Sequence, residues 1–281
     1  MKLVGSEFPD RGEKNYLEEV ADNLFNKSLS EQTKKEFGKG DGNETSDSGK
    51  EGTSRAKMKS LHSSSAIVVN LFQYWQEKDL SPVLYACKLC SKNPSDSVNK
   101  IKFEEKFQIS DDKSRFPRMP NVDVVIEGFQ NKILAIESKF SEPYVSKRPE
   151  SKVISKKYVD DKSFWNGLSN LYELANEISS TNDQFDYLDA AQLIKHVLGL
   201  MNDKEKNKKG KNGFCLLYLW YDVIGEDGAK HRAEIEHFTK ITKDDEINFK
   251  HITYQEIIIK LTEEFYTGNE EYCNFITDRY L

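Results

Sequence analysis

Residues 120–140 read PNVDVVIEGFQNKILAIESKF. Two β-rich runs, VDVVIEG and KILAIESKF, flank the turn-like GFQN, which is the pattern of a hairpin. With the turn centred on Gln130, residues whose numbers sum to 260 oppose each other, so Asp123 faces Glu137 across the strands. Directly opposed side chains have Cβ atoms roughly 4.5–5.5 Å apart, close enough for two carboxylates to share a cation. Lys139 leaves the same strand face as Glu137, because strand side chains alternate with a period of two. Leu134, Ile136 and Phe140 face the other way, with Val122, Val124 and Ile126 against a core. Ile133 and Ala135 share the acid-bearing face, which is therefore polar only toward the end of its strand.

Two adjacent carboxylates repel unless a positive charge neutralises them, and one lysine cannot compensate both. A divalent cation completes the arrangement. Oxygen ligands with water and phosphate suit Mg²⁺, with Mn²⁺ as a substitute. The expected chemistry is metal-assisted attack of water on a phosphodiester, with Lys139 orienting the water or stabilising the developing charge. The plain alternative is a surface hairpin whose Glu and Lys contribute a few tenths of a kcal/mol, roughly, and nothing more.

Upstream, EKNYLEEVADNLFN (13–26) sets Tyr16, Val20, Leu24 and Phe25 near one helical face, so a short docked helix is expected. From 26 to 59 Gly, Ser, Thr, Asn and charge dominate, which reads as a long irregular segment, part of it ordered beside the site. The serines of LHSSSAIVVNLFQYW start a buried helix over 64–77. Ser81 and Pro82 open another. KIKFEEKFQI (100–109) alternates as a strand, with Ile101, Phe103, Glu105 and Phe107 on one side and Lys102, Glu104, Lys106 and Gln108 on the other.

Downstream, SFWNGLSNLYELANEI and DYLDAAQLIKHVLGL carry apolar stripes at helical spacing. GFCLLYLWYDV is apolar throughout, as a central strand is, with AEIEHF as a further strand. Thr253 and Glu256 have capping-box spacing before a last helix, YQEIIIKLTEEFY. Strands followed by crossover helices and another buried strand describe an α/β domain with a mixed sheet.

A chain of 281 residues suits one large domain with an extension. The division expected is an N-terminal extension over 1–60, helical and partly irregular, and a main domain over 61–281. No apolar window reaches the roughly 18 residues of a membrane-spanning helix, and no signal-peptide stretch forms, so a cytoplasmic protein is expected. Four cysteines are too few for a disulfide scaffold, and Cys87 and Cys90 form a CxxC without the second ligand pair of a zinc site. A net charge of −6 argues against indiscriminate coating of nucleic acid, which leaves local basic patches to decide. Lys147, Arg148, Lys152, Lys156 and Lys157 follow the candidate site and suit backbone phosphates. The run Lys204, Lys206, Lys208, Lys209, Lys211 reads equally as a solvated connector. His62 and Ser63 lack the oriented acid and elbow glycines of a serine hydrolase, and GKGDGNE lacks the Lys-Ser/Thr ending of a phosphate loop.

The 120–140 stretch resembles the core signature of the PD-(D/E)xK nuclease superfamily, with Asp123, Glu137 and Lys139 at its acidic and basic positions and Pro120-Asn121 in place of a strict Pro-Asp pair. SLHSSSAIVVNLFQYW, the FEE of 103–105, IESKFSEPY and AAQLIKHVLGL resemble successive blocks of a restriction-endonuclease-like bacterial family within it, over roughly residues 38–223. The resemblance implies a restriction-endonuclease-like mixed central sheet flanked by helices. It implies catalytic roles for Asp123, Glu137, Lys139 and Gln192, and metal binding by Glu104, Asp123, Glu137 and Ser138, with Glu105 competing for the place of Glu104. His196 would share the helix face of Gln192. The expected activity is a Mg²⁺-dependent DNA endonuclease of restriction or repair type, with RNA and a homodimer left open; the alternative is a catalytically silent nucleic-acid-binding or interaction module on the same fold.

Overall fold

A computed structural model of the chain describes residues 15–39, 43–48, 55–94, 100–145 and 152–281. The helices are α1 (Glu31–Phe37), α2 (Ser64–Phe72), α3 (Ser81–Ala86), α4 (Glu142–Val145), α5 (Lys156–Val159), α6 (Ser169–Glu177), α7 (Ala190–Asn202), α8 (Glu226–Asp244), α9 (Tyr254–Phe265) and α10 (Glu270–Tyr280). The strands β1 (Ile101–Lys106), β2 (Asn121–Glu127), β3 (Ile133–Lys139), β4 (Phe214–Trp220) and β5 (Phe249–Thr253) lie side by side in chain order in one sheet. β1, β2 and β3 pair antiparallel, and β4 and β5 continue parallel to β3. The α/β architecture with a mixed sheet flanked by helices is the one expected.

Each sheet face is packed. Val124, Ile126, Leu134, Ile136, Leu217 and Leu219 meet α2, α3, α9 and α10 on one side. Val125, Ile133, Ala135, Leu216, Tyr218 and Trp220 meet α6, α7 and α8 on the other. Every residue of β4 is consequently buried, which is why its sequence is apolar without alternation. The β2–β3 pairing runs from Glu127↔Ile133 to Val124↔Ile136, so facing residues sum to 260 as expected. Gly128, Gln130 and Asn131 make the turn with positive φ. Val122 departs from the expected side and joins the α6–α8 core, at the end of the strand where pairing with β3 has stopped and only β1 continues alongside.

Ser63 caps α2, accepting from Ala66 N at 3.2 Å, and Thr253 and Glu256 form the capping box of α9. α2 ends at Phe72 and tightens into a 3-10 turn over Gln73–Trp75, short of the expected Glu77.

Four local expectations are corrected. The described part of 13–26 forms no α-helix, only 3-10 conformation at Asn15 and Val20–Asn23 and a β-bridge from Tyr16 to Ser60, because Asn23 donates to the carbonyls of Met58 (2.7 Å) and Ser60 (2.8 Å) and binds this segment to a distant one. Within the supposedly irregular stretch, Ser30 accepts from Thr33 N and starts α1, whose Phe37 stacks on Phe103. AEIEHF belongs to α8, not to a strand: His231, Ile235, Phe238 and Thr242 are its buried residues at helical spacing, and β5 occupies the sheet edge instead. Phe107 lies in the α6–α8 core, opposite to Ile101 and Phe103, because Glu104 interrupts β1 with φ +54° and the strand ends at Lys106. No helix among the described residues is long and apolar enough to cross a membrane.

Candidate functional site: an acid pair where β2 begins and β3 ends

The site forms where β1 ends, β2 begins, and β3 and β4 finish. Register sets Glu104, Asp123, Glu137 and Tyr218 in one row across four strands, with Glu104 at a position the β1–β2 pairing skips. Strand pleating sends alternate side chains to opposite faces, and Ser138 shows it: its Oγ lies 2.5 Å from Tyr254 Oη in the other core. Its backbone stays with the acids, since Ser138 N donates to Asp123 Oδ2 at 2.7 Å just beyond the last β2–β3 pair.

Glu137 is 1% exposed. Lys139 Nζ lies 2.6 Å from its Oε1, and His196 Nε2, from α7, lies 2.9 Å from its Oε2. The histidine approaches off the hydrogen-bonding direction, so Glu137 Oε2 and both ring nitrogens of His196 have no hydrogen-bond partner among the described residues. Burial alone would raise the Glu137 carboxyl, but the charges of Lys139 and His196 outweigh it and hold the group down at about 2. Asp123 goes the other way. Burial first, then the negative charge of Glu137, pushes it well above the usual carboxylate range, and Lys139 offsets this only in part. Burial opposes the charge on Lys139, yet Glu137 and Asp123 together raise its pKa, so it remains an ammonium donor at neutral pH.

Glu104 joins this field. Burial and the charge of Glu44 raise it to about 7, with Glu137 adding to the effect, while Asn121 Nδ2 donates to its Oε2. Glu105 turns away into an ion pair with Lys206 at 2.5 Å. Of the two glutamates, only Glu104 faces the acids. Glu44 was not singled out in the sequence. It is held by Ser65 Oγ at 2.7 Å and Lys57 Nζ at 2.8 Å, and nothing but its acidity distinguished it within a polar run.

Gln192 is half-buried in the first turn of α7; its backbone N–H takes the cap from Asp189, and its side-chain amide has no hydrogen-bond partner among the described residues. His196, one turn on, makes the contact with Glu137. Lys147 and Arg148 lie outside the described residues. Lys152 does not offer its charge to solvent: it is buried, donates to Asp186 O, and its pKa is lowered by that burial. Lys156 is exposed and Lys157 half-exposed at the start of α5.

No group of three or more His, Cys, Asp or Glu side chains among the described residues is gathered closely enough to chelate a metal. The donor set nevertheless fits a hard cation of the Mg²⁺ type, which is held by one or two carboxylates and otherwise keeps waters and substrate oxygens. Asp123, half-buried, and Glu137, buried, are two neighbouring acids, and Glu137 Oε2 has no hydrogen-bond partner among the described residues.

A family model described as "Restriction Endonuclease associating with ARP" matches residues 4–281. The chain belongs to this family. Nuclease-type function is what that membership indicates, and the match runs through the hairpin, α7 and the C-terminal helices alike. No curated protein and no solved structure matches the chain.

Proposed function

We propose that this restriction-endonuclease family member hydrolyses DNA phosphodiesters with a divalent metal, in the manner of the PD-(D/E)xK nucleases. The observation that carries the reading is that Asp123 and Glu137 lie one residue past the last β2–β3 pair, Val124↔Ile136, with the Lys139 ammonium 2.6 Å from Glu137. Asp123, Glu137 and the backbone of Ser138 would hold Mg²⁺ or Mn²⁺, with Glu104 beside them as a further acid. Bound there, the cation supplies Lewis-acid polarisation of the phosphoryl oxygen and a water of lowered pKa.

The protein's own groups do the positioning. The Lys139 ammonium donates toward the attacking water and the charge that develops on phosphorus oxygens. Its pairing with Glu137 fixes the amine before substrate arrives, which cuts the ordering cost at the moment of reaction. Core packing of Ile133 and Ala135 under the acids excludes water from below. Incubating plasmid and linear DNA with Mg²⁺ or Mn²⁺ is expected to give cutting by the wild-type chain and a loss of at least a hundredfold in Glu137→Ala and Lys139→Met. Equal cutting by wild type and Glu137→Ala would remove the site from the reaction.

A silent binding module draws support from one observation, that Lys139 already occupies Glu137 Oε1. Calorimetric titration with Mg²⁺ separates the two readings: heat that Asp123→Asn abolishes belongs to the nuclease, and no metal binding with retained DNA affinity belongs to the module.

A further inference from the structure

The β1–β2 connection, residues 107–120, leaves the sheet at the same end as the acids and encloses a cavity of about 290 Å³ lined by Gln108, Ile109, Phe116, Arg118 and Met119 among others. Its outer edge is PRMP, residues 117–120, in which Met119 is 41% exposed. Lys113 and Arg118 are exposed too, and neither forms an ion pair among the described residues. An exposed methionine alone needs no explanation. Here it sits on a loop held from every side. Phe116 is buried against the Tyr158 and Phe164 rings, with centroids 5.1 and 5.5 Å away. Arg115 is fixed by Asp161 at 2.9 Å and donates to Lys157 O. Phe107 N donates to Pro120 O at 3.0 Å, and the two prolines limit φ. The loop's own acids are turned to local use: Asp112 accepts from Ser114 and Arg115 N–H groups, and Asp111 from Gln108 Nε2.

α7 ties this loop to the site. A Cβ on Gly199 would sit 2.8 Å from Pro120 Cγ and 3.0 Å from Phe107 Cβ, so the loop rests directly on the helix at that point. His196, three residues earlier and on the same helix face, touches Glu137. Three residues of helix, a rise of about 4.5 Å, therefore separate the point on α7 where the loop rests from the point where α7 touches Glu137. Successive nucleotides of one strand rise roughly 3.4 Å, so DNA with a phosphate at Asp123 and Glu137 must lay its next one or two nucleotides against PRMP.

Resting on the nuclease reading for the position of that phosphate, we infer that the 107–120 loop is a DNA-reading element: Lys113 and Arg118 neutralise the flanking phosphates, and Met119 with Pro117 wedges against the bases beside the cut, the cavity behind giving room for a displaced one. Methionine and proline are among the side chains used as wedges between base steps, and a rigid loop loses little entropy on binding. Lys157, whose carbonyl anchors Arg115, extends the basic edge on α5.

Fluorescence anisotropy with labelled duplex DNA in EDTA, over a NaCl series, tests the loop apart from the chemistry. The double variant Lys113→Gln/Arg118→Gln should bind tenfold or more weakly, with a log K against log salt slope shallower by about two. Met119→Ala should lose a few-fold while keeping the wild-type slope. These side chains are exposed, and melting curves verify that the variants fold. Wild-type affinity and slope in all of them, no duplex binding by the wild type, or tighter binding of duplex RNA than of DNA overturns the inference. If Glu137→Ala stops cutting while the loop variants bind and cut as wild type, the loop fails and the nuclease stands. If the loop variants lose binding and the wild type never cuts with Mg²⁺ or Mn²⁺, the loop stands and the nuclease fails.

Discussion

Glu137 is buried and Asp123 half-buried, yet it is Asp123 whose carboxyl is pushed up, and the difference lies in their neighbours. Glu137 has Lys139 and His196 against its oxygens; Asp123 has one backbone N–H and two negative neighbours. Without metal, Asp123 is the group that resists ionisation. Its folded-state pKa lies above its unfolded one, so its contribution to stability is complete below about pH 4 and is lost as pH rises toward the folded value. Asp123→Asn removes the charge and keeps an acceptor for Ser138 N–H. The expected result in EDTA at pH 7.5 is a melting temperature about 2–4 °C above wild type, corresponding to roughly 1 kcal/mol, together with loss of Mg²⁺-dependent cutting. A lower melting temperature would mean that Asp123 is stabilising in the metal-free protein and that repulsion at the site is overstated. Glu104 carries a second sign of constraint, a φ of +54° inside a strand, a conformation costing about 1–3 kcal/mol for a non-glycine residue.

At the scale of elements, the interesting junction is that of α8 with β4 and α4. His231 of α8 is fully buried, with Tyr144 Oη 2.8 Å from Nδ1 and Tyr218 Oη 3.1 Å from Nε2. Burial, with the charges of Lys152 and Arg232, pushes its pKa down to about 3. A histidine depressed in the fold is neutral there but protonates in the unfolded chain below pH 6.5. Stability is therefore unaffected above that value and falls between pH 6.5 and about 3, by at most about 1.4 kcal/mol per pH unit from this group. His231→Gln should cost about 1–3 kcal/mol at pH 7.5, because the buried Tyr218 phenol loses its bond to Nε2 while the half-buried Tyr144 phenol keeps only Tyr221 O of the two bonds described, and should flatten the acid limb of the stability curve. Denaturant melts at pH 7.5 and 4.5 measure both effects; an unchanged acid slope rules out His231 as the source. Tyr218 lies beside Glu137 in the sheet, so this junction also backs the strand that carries the acid.

For the molecule as a whole, Asn70 on α2 shows how the ends of the chain are joined. It is 2% exposed, accepts from Phe25 N at 2.8 Å, and donates to Asn23 O at 2.8 Å and to Tyr280 Oη at 2.7 Å. Arg279 donates to Asn23 Oδ1, and Leu24, Leu29, Phe37 and Met58 are buried in the same core as α9 and α10. Asn70→Ala strands two buried polar groups, Asn23 O and Tyr280 Oη, and the half-buried Phe25 N–H, and should cost on the order of 3 kcal/mol, lowering the midpoint of a single cooperative transition. Two separate transitions, with the later one unshifted, would instead make residues up to 60 an independent unit. Glu44, on that same N-terminal stretch, adds its charge to Glu104, so the stretch contributes to the electrostatics of the site as well as to the core.

Sequence alone was enough wherever the pattern is local. The alternation in VDVVIEG and KILAIESKF and a turn at Gln130 are short-range features, and they determined the register that opposes Asp123 to Glu137. Unbroken apolarity marked β4, Ser63 and Thr253 marked two helix starts, and the periods of α6 and α7 marked two more. What depends on distant partners was decided only by tertiary structure. Lys152 reads as a phosphate ligand until burial and a hydrogen bond to Asp186 O turn its amine away from solvent; AEIEHF is strand-like in isolation and helical because α8 packs His231, Ile235 and Phe238 in one row. That Glu104 and not Glu105 faces the acids goes with a single backbone dihedral, and that His196 and not Gln192 touches Glu137 goes with its place one turn further along α7. A side chain's charge and period are written in its own segment, but its burial and its partners are properties of the space that other segments leave for it.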